Sequence, residues 1–168
     1  MMIQAILHAD KNWGIGKNNG LMFSLPKDMK FFRQTTQGGV VIMGDKTLFS
    51  LPGGKPLKNR INIVLSFDME KREDCTVVRS LEELGQELKK YPDTPIWVMG
   101  GATIYRLLLP YCHTVFITRV EAEGDADTFF PNLDAHPDFY LSQRGEDQED
   151  NGYTIHFDQY TNRSPKSL

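Results

Sequence analysis

The chain has 168 residues, a length that favours one domain and allows roughly two thirds of the unfolded surface to be buried. Apolar residues at 40% and charged residues at 24% exclude a disordered or fibrous chain. The formal net charge of −3 argues against a nucleic-acid partner, which calls for a basic excess, and no run reaches the roughly 18 apolar residues of a membrane span.

The two cysteines, Cys75 and Cys112, fit no zinc or redox spacing and read as free thiols in a reducing compartment. The start Met1-Met2-Ile3-Gln4 lacks a basic region followed by an apolar core, so a cytoplasmic protein is expected.

Ile3 to Ala9 reads as a buried strand. A Gly/Asn-rich loop follows, from Ile15 to Ser24. Lys27 to Thr35 reads as a helix, with Pro26 suited to its first position and Asp28 to its first turn. Val40 to Met43 is a continuous apolar strand of the kind buried on both faces, and Lys46 to Leu51 a short helix. Pro52 to Pro56 is a turn. Strands follow at Ile61 to Leu65 and Thr76 to Val78.

Ser80 reads as an N-cap, with Glu83 completing a capping box and Leu81, Leu84 and Leu88 forming the apolar stripe. Ile96 to Met99 is another buried strand, ended by Gly100-Gly101. A helix runs from Ala102 to Leu109, stopping before Pro110, and Thr114 to Thr118 is a strand. Phe139 to Leu141 and Tyr153 to Phe157 read as antiparallel strands joined by an acidic loop, and Arg163 to Leu168 as a frayed end. This order predicts a single α/β domain. Its central sheet is mixed and mostly parallel, of about eight strands with about four flanking helices and an antiparallel C-terminal hairpin at the edge.

Ligands of such sheets bind at the carboxyl ends of the strands. There the chain places Gly44-Asp45-Lys46-Thr47, Ser66-Phe67, Arg79-Ser80 and Gly100-Gly101-Ala102-Thr103. Glycines and helix starts suit phosphate, and Lys46 and Arg79 add charge, which points to a nucleotide across the sheet. Each glycine taken alone also serves as a plain strand-to-helix turn. No G-x-G-x-x-G or G-x-S-x-G pattern is present, which excludes a conventional dinucleotide fold and acyl-enzyme chemistry.

Helical spacing puts Asp28, Phe32 and Thr35 on one face, so Asp28 is either partnered, with Lys27 and Lys30 in reach, or functional. Arg60 is placed to fork onto a ligand carboxylate, or to serve as an ordinary surface arginine. Trp13, Phe31 and Trp97 read as core. His8, His113, His136 and His156 lack metal-ligand spacing, and no metal site is expected.

Ordered motifs then carry a resemblance. They are Gly14-Ile15-Gly16-Lys17-Asn18, Leu25-Pro26-Lys27-Asp28, Val41 to Thr47, Leu57-Lys58-Asn59-Arg60-Ile61-Asn62, Val98 to Tyr105 and Asp125 to Pro131. Over Met2 to Thr161 the chain resembles the dihydrofolate reductase family, of the bacterial chromosomal type.

The resemblance implies NADPH-dependent reduction of dihydrofolate to tetrahydrofolate, serving one-carbon metabolism and thymidylate synthesis, by an antifolate target; a monomer is expected because no apolar stripe is left over for a partner. It implies that Asp28 holds the pteridine and promotes protonation of N5, with Phe23 and Tyr105 beside the chemistry. Thr118 braces Asp28. Ile6 and Met99 offer backbone carbonyls, with Leu7 nearby. Phe32, Leu51 and Leu57 flank the ligand, and Arg60 clamps its glutamate.

Residues 40–95 are implied to bind adenosine, and residues 15–24 to form a lid that brings Ile15, Gly16, Asn19 and Leu21 to the cofactor. The remaining cofactor contacts implied are His8, Gly44, Asp45, Lys46, Thr47, Leu65, Ser66, Phe67, Arg79, Met99, Gly100, Gly101, Ala102, Thr103, Ile104 and Tyr105. The Gly100–Gly101 peptide bond is implied to be cis.

Five positions depart from the family pattern. Met22-Phe23 stands for Pro-Trp, and His8 stands where a small residue is usual. Asp45 stands for a frequent arginine and Phe67 for a hydroxyl, which leaves Ser66, Lys46 and Arg79 to meet a 2′-phosphate and weakens the preference for NADPH over NADH. Two other readings of the sequence are a reductase of a flavin-pathway pyrimidine and a non-catalytic pterin or nucleotide binder.

Overall fold

The structure, a computed structural model, describes residues 1–18 and 20–168. Its strands are β1 (Ile3–Ala9), β2 (Gly14–Gly16), β3 (Val40–Met43), β4 (Ile61–Leu65), β5 (Thr76–Val78), β6 (Ile96–Gly100), β7 (Cys112–Val120), β8 (Thr128–Phe129), β9 (Phe139–Gln143), β10 (Gln148–Asp150) and β11 (Tyr153–Asn162). The helices are α1 (Pro26–Thr36), α2 (Asp45–Ser50), α3 (Leu81–Leu88) and α4 (Ala102–Leu108).

The main sheet runs in the order β10-β11-β7-β1-β6-β3-β4-β5, with β9 also paired to β11. β7, β1, β6, β3, β4 and β5 are parallel neighbours. β11 pairs antiparallel with β7, β9 and β10. The mixed sheet and four helices are those expected from the sequence.

Alternation along the central strands splits the core in two. Val40 and Ile42 of β3, Ile63 and Leu65 of β4, and Ile96 and Val98 of β6 face Leu84, Leu88 and Leu108 of α3 and α4. Val41, Met43, Val64 and Trp97 face the other way, against Leu48 of α2 and Phe31 and Phe32 of α1. A strand buried on both faces has no polar side to show, which is why these runs are continuously apolar. Each such fully buried side chain contributes about 1.5–3 kcal/mol.

α1 begins at Pro26 as expected, but Leu25 gives it no side-chain cap. Its first turn is held from across the chain, where the Asp28 N–H donates to Asp150 Oδ2 at 3.2 Å. α2 starts one residue early, at Asp45. In α3 the Glu83 N–H donates to Ser80 Oγ at 3.1 Å, half of the expected capping box. The other half does not form, because Glu83 Oε2 accepts from the N–H of Arg79 instead, at 2.6 Å.

Three further features differ from the expectation. The acidic loop contains β10, joined to β11 by Asn151 and Gly152, whose φ angles of 52° and 84° make a tight hairpin turn. β2 pairs with β8 in a second, two-stranded sheet. The C-terminal end is docked: the Lys166 N–H donates to Pro110 O at 2.9 Å and Leu168 packs on the core beside Gly85. Among the described residues no helix is long and apolar enough to cross a membrane.

Candidate active site

His8 and Ile6 alternate onto the face of β1 that α1 covers. In register with His8 on β7 stands Thr118. The two strands and the first turn of α1 thus bring His8, Thr118 and Asp28 together. Thr118 Oγ donates to Asp28 Oδ1 at 2.7 Å, and His8 Nδ1 lies 3.1 Å from Asp28 Oδ2. The side chains of His8 and Asp28 are only 7% and 13% exposed. Lys27 and Lys30, the expected surface partners, form no ion pair with Asp28 among the described residues. The His8 side chain is the one that pairs with the acid.

Tyr105 is buried in α4 and donates its phenol to Ile6 O at 2.8 Å. Burial pushes that phenol well above its ordinary pKa, and the nearby Cys112 and Asp28 add to the rise. It stays a donor at any working pH. Phe23 packs edge-on against Tyr153 at 4.9 Å, with the His8 ring 6.2 Å away.

Beyond the acid the wall is apolar. Phe32, Leu51, Leu57 and Met99 pack around Ile6, Val41 and Met43, while Leu7 faces the opposite core. Asn62 fixes Leu57 by accepting from its N–H at 3.0 Å and donating to its carbonyl at 2.9 Å. Arg60 ends this wall. Its guanidinium donates to Thr36 Oγ at 3.0 Å, Lys58 O at 2.6 Å and Arg33 O at 2.8 Å. All three partners are neutral. Burial, then the charge of Arg33, lowers its pKa, so the guanidinium sits where an incoming anion would relieve it.

The opposite wall is mostly backbone. The Gly44 N–H donates to Gly100 O at 2.9 Å, tying the tips of β3 and β6. The Gly100–Gly101 bond is cis. Thr47, Ile104 and Tyr105 surround these glycines. Outward along the tips, Ser66 Oγ donates to Asp45 Oδ2 at 2.7 Å, and Arg79 Nη1 to Ser66 O at 3.0 Å. Phe67 is 77% exposed. Leu65 is core, Lys46 and Thr103 are exposed and Ala102 is half-buried.

The 15–24 segment reaches the acid wall through Phe23. Sequence reasoning missed what anchors it. Buried Asp10 accepts from the N–H groups of Asn12 at 2.9 Å, Gly14 at 2.8 Å and Gly124 at 2.9 Å. An acid at a strand end followed by Asn-x-Gly was the available signal. Asp127 accepts from the Asn18 N–H at 2.9 Å. Ile15 and Gly16 lie at the base of the loop, in β2, and Leu21 is exposed. Asn19 lies outside the described residues.

A half-buried acid held against β1 and β7, with paired glycines at the tips of the neighbouring β6 and β3 of an open α/β sheet, is the plan of an enzyme working on a small polar ligand with a nucleotide cofactor. A profile of the family described as dihydrofolate reductase matches residues 2–162. The chain is 35% identical to the dihydrofolate reductase of Bacillus subtilis over 165 residues, 97% of this chain and 96% of that one. It is 33% identical to the Gallus gallus enzyme over 181 residues, covering 94% and 95%. A solved structure of dihydrofolate reductase from Enterococcus faecalis, complexed with NADP(H) and RAB-propyl, matches with a TM-score of 0.85 at 30% identity, over 97% of each chain. The chain belongs to the dihydrofolate reductase family.

Proposed function

We propose that this chain reduces 7,8-dihydrofolate to 5,6,7,8-tetrahydrofolate with NADPH, and that Asp28 is the group that makes the ring accept a hydride at C6 by favouring a proton at N5. The observation that carries the reading is the half-enclosed Asp28 carboxylate, held at both oxygens by Thr118 and His8. A carboxylate has about four acceptor positions. Two are used by the protein, and two remain for the N3–H and amino group of the pteridine. Its charge, in a site of low dielectric, favours positive charge growing on the ring.

Ile6 and Met99 line the ring's edge, and Phe32, Leu51 and Leu57 flank its faces and the aminobenzoyl group. Arg60 receives the glutamate carboxylate. Phe23 and the 15–24 loop cover the site from water.

The residues present fit NADPH. A Cβ at Gly44 would lie 3.0 Å from Ile104 Cγ1, and Cβ atoms on Gly100 and Gly101 would lie 3.6 and 3.5 Å from Thr47 Oγ1. Bare backbone there admits a diphosphate, with Lys46 supplying charge. The segment 40–95 would receive the adenosine, where Arg79 would supply charge for the 2′-phosphate. Ser66 is the weak point of that fit, since its hydroxyl is already given to Asp45. When bound, NADPH supplies the hydride. Tyr105 packs beside Gly100 to hold the nicotinamide end.

Mixing the protein with NADPH and dihydrofolate tests the reading. Loss of the reduced-nicotinamide absorbance with formation of tetrahydrofolate is the expected result. Binding of both ligands without turnover would contradict it.

A further inference from the structure

The face that β1 turns toward α1 carries one titratable group that the proposed reaction leaves without a task. We propose that His8 is a positioning residue for the reduction, donating its Nδ1–H to Asp28 so that the carboxylate is turned into the cleft and answers to the protonation of the imidazole. The inference rests on the reading of Asp28 given above.

Four observations carry it. His8 Nδ1 stands 3.1 Å from Asp28 Oδ2 while Thr118 Oγ donates to Oδ1 at 2.7 Å, so both oxygens are held. The strand register places His8 beside Thr118, so the sheet itself sets the pair's geometry. Among the described residues, His8 is the one ion-pairing partner of Asp28. The far ring nitrogen, Nε2, is buried with no hydrogen-bond partner.

An ionised carboxylate only accepts, so the hydrogen of the His8–Asp28 bond belongs to Nδ1. In the neutral imidazole Nε2 is then a bare acceptor. Its burial without a partner is costly.

The other groups facing the pair are few. Tyr105 on α4 gives its phenol to Ile6 O, two residues back along β1. Asp150 on β10 accepts from the Asp28 backbone. Thr118 on β7 does not titrate. Protonating His8 therefore sets a lone cation against Asp28. It cancels the charge that favours N5 protonation.

Three measurements on the full chain decide this. Nitrogen-15 NMR of the wild type should show the Nδ1–H tautomer at His8. His8→Ala should lower kcat/KM for dihydrofolate about tenfold, the worth of one hydrogen bond to a charged group. His8→Asn puts an amide N–H in the place of Nδ1 and should restore most of that loss near neutral pH. Both variants should lack the ionisation that His8 contributes to the pH profile of kcat/KM.

An Nε2–H tautomer with bare Nδ1 would overturn the proposal. So would variants that keep the wild-type constants and profile, or that fall together with the profile unchanged, as plain packing would give. Should His8→Ala not fold, the tautomer and His8→Asn still decide. Absence of reduction in the wild type would instead overturn the reading of the reaction, leaving the tautomer to judge the pair.

Discussion

The two walls of the cleft are built on opposite plans. The acid wall is a knot of side chains from distant segments: Asp28 meets His8 20 residues away, Thr118 90 away and, through its backbone, Asp150 122 away. The glycine wall is backbone at its centre, with the Gly44 N–H tied to Gly100 O and the side chains of Thr47, Ile104 and Tyr105 packed around it. The difference follows from what each must hold. A proton to be moved needs one charged group fixed in a closed place. A phosphate needs free N–H groups and no Cβ in the way. The acid wall should therefore break when a side chain is removed, and the glycine wall when one is added.

The largest effect should come from Asp28→Asn. It keeps the shape but loses the charge, and turnover at neutral pH should fall about 10²–10⁴-fold. NADPH affinity, a property of the other wall, should stay put, as fluorescence titration would show. A parallel loss of cofactor binding would mean the two walls are not separable.

Next comes Arg60→Ala, which should weaken dihydrofolate by about 2–3 kcal/mol, as loss of a buried charge partner does. Calorimetry with a pterin lacking the glutamate should find no change. Equal affinity for full-length dihydrofolate in the two proteins would favour a ligand without a carboxylate tail.

On the glycine wall, Gly100→Ala should cost about 1–3 kcal/mol of stability, because φ at Gly100 is +128° and L side chains rarely adopt it. A thermal melt reads this, and NADPH affinity should fall with it. Unchanged NADPH binding would remove Gly100 from the cofactor wall.

Asp45→Arg should raise the preference for NADPH over NADH roughly tenfold, the scale of reversing a charge beside an anion near the surface. It also frees the Ser66 hydroxyl. Binding of adenosine 2′,5′-bisphosphate against adenosine monophosphate measures this without turnover.

The smallest effect concerns the loop that brings Phe23 to the acid wall. The Asn18 N–H, then the Thr128 hydroxyl, holds the Asp127 carboxyl below the usual carboxylate range. A lowered carboxyl stabilises fully above its unfolded value and loses that contribution as pH falls through the folded one. Protection of the Asn18 amide from hydrogen exchange, corrected for intrinsic rate, should therefore drop below about pH 4. Unchanged protection would detach Asp127 from the loop.

How much of this was legible in the sequence depends on how far apart the partners lie. β3 and β6 were readable, because a strand buried on both faces writes a continuous apolar run. So was the start of α3, where Ser80 and Glu83 stand three apart. The lost half of that capping box was not, because the Glu83 side chain can reach either of two neighbouring N–H groups.

β10 was missed although Asn151-Gly152 announces a hairpin. The acidic residues around it hid an edge strand whose polar groups face solvent. β2 and β8 are too short to write any period, and exist because each finds the other. The docking of Leu168 beside Gly85 depends on the missing side chain of a residue 83 positions away. At the site, Asp28 was singled out by helical spacing, which sets it on one face with Phe32 and Thr35. Its bond to His8 was not, since it is set by which face of β1 turns toward α1.

The most direct test of the account follows hydride transfer in a single turnover, in the wild type and in Asp28→Asn, as a function of pH. If Asp28 acts by favouring the proton at N5, the deficit of the variant should be large at neutral pH and should shrink as pH falls, because the substrate then arrives already protonated. Equal rates in the two proteins at neutral pH, or a deficit that stays constant across the range, would contradict it.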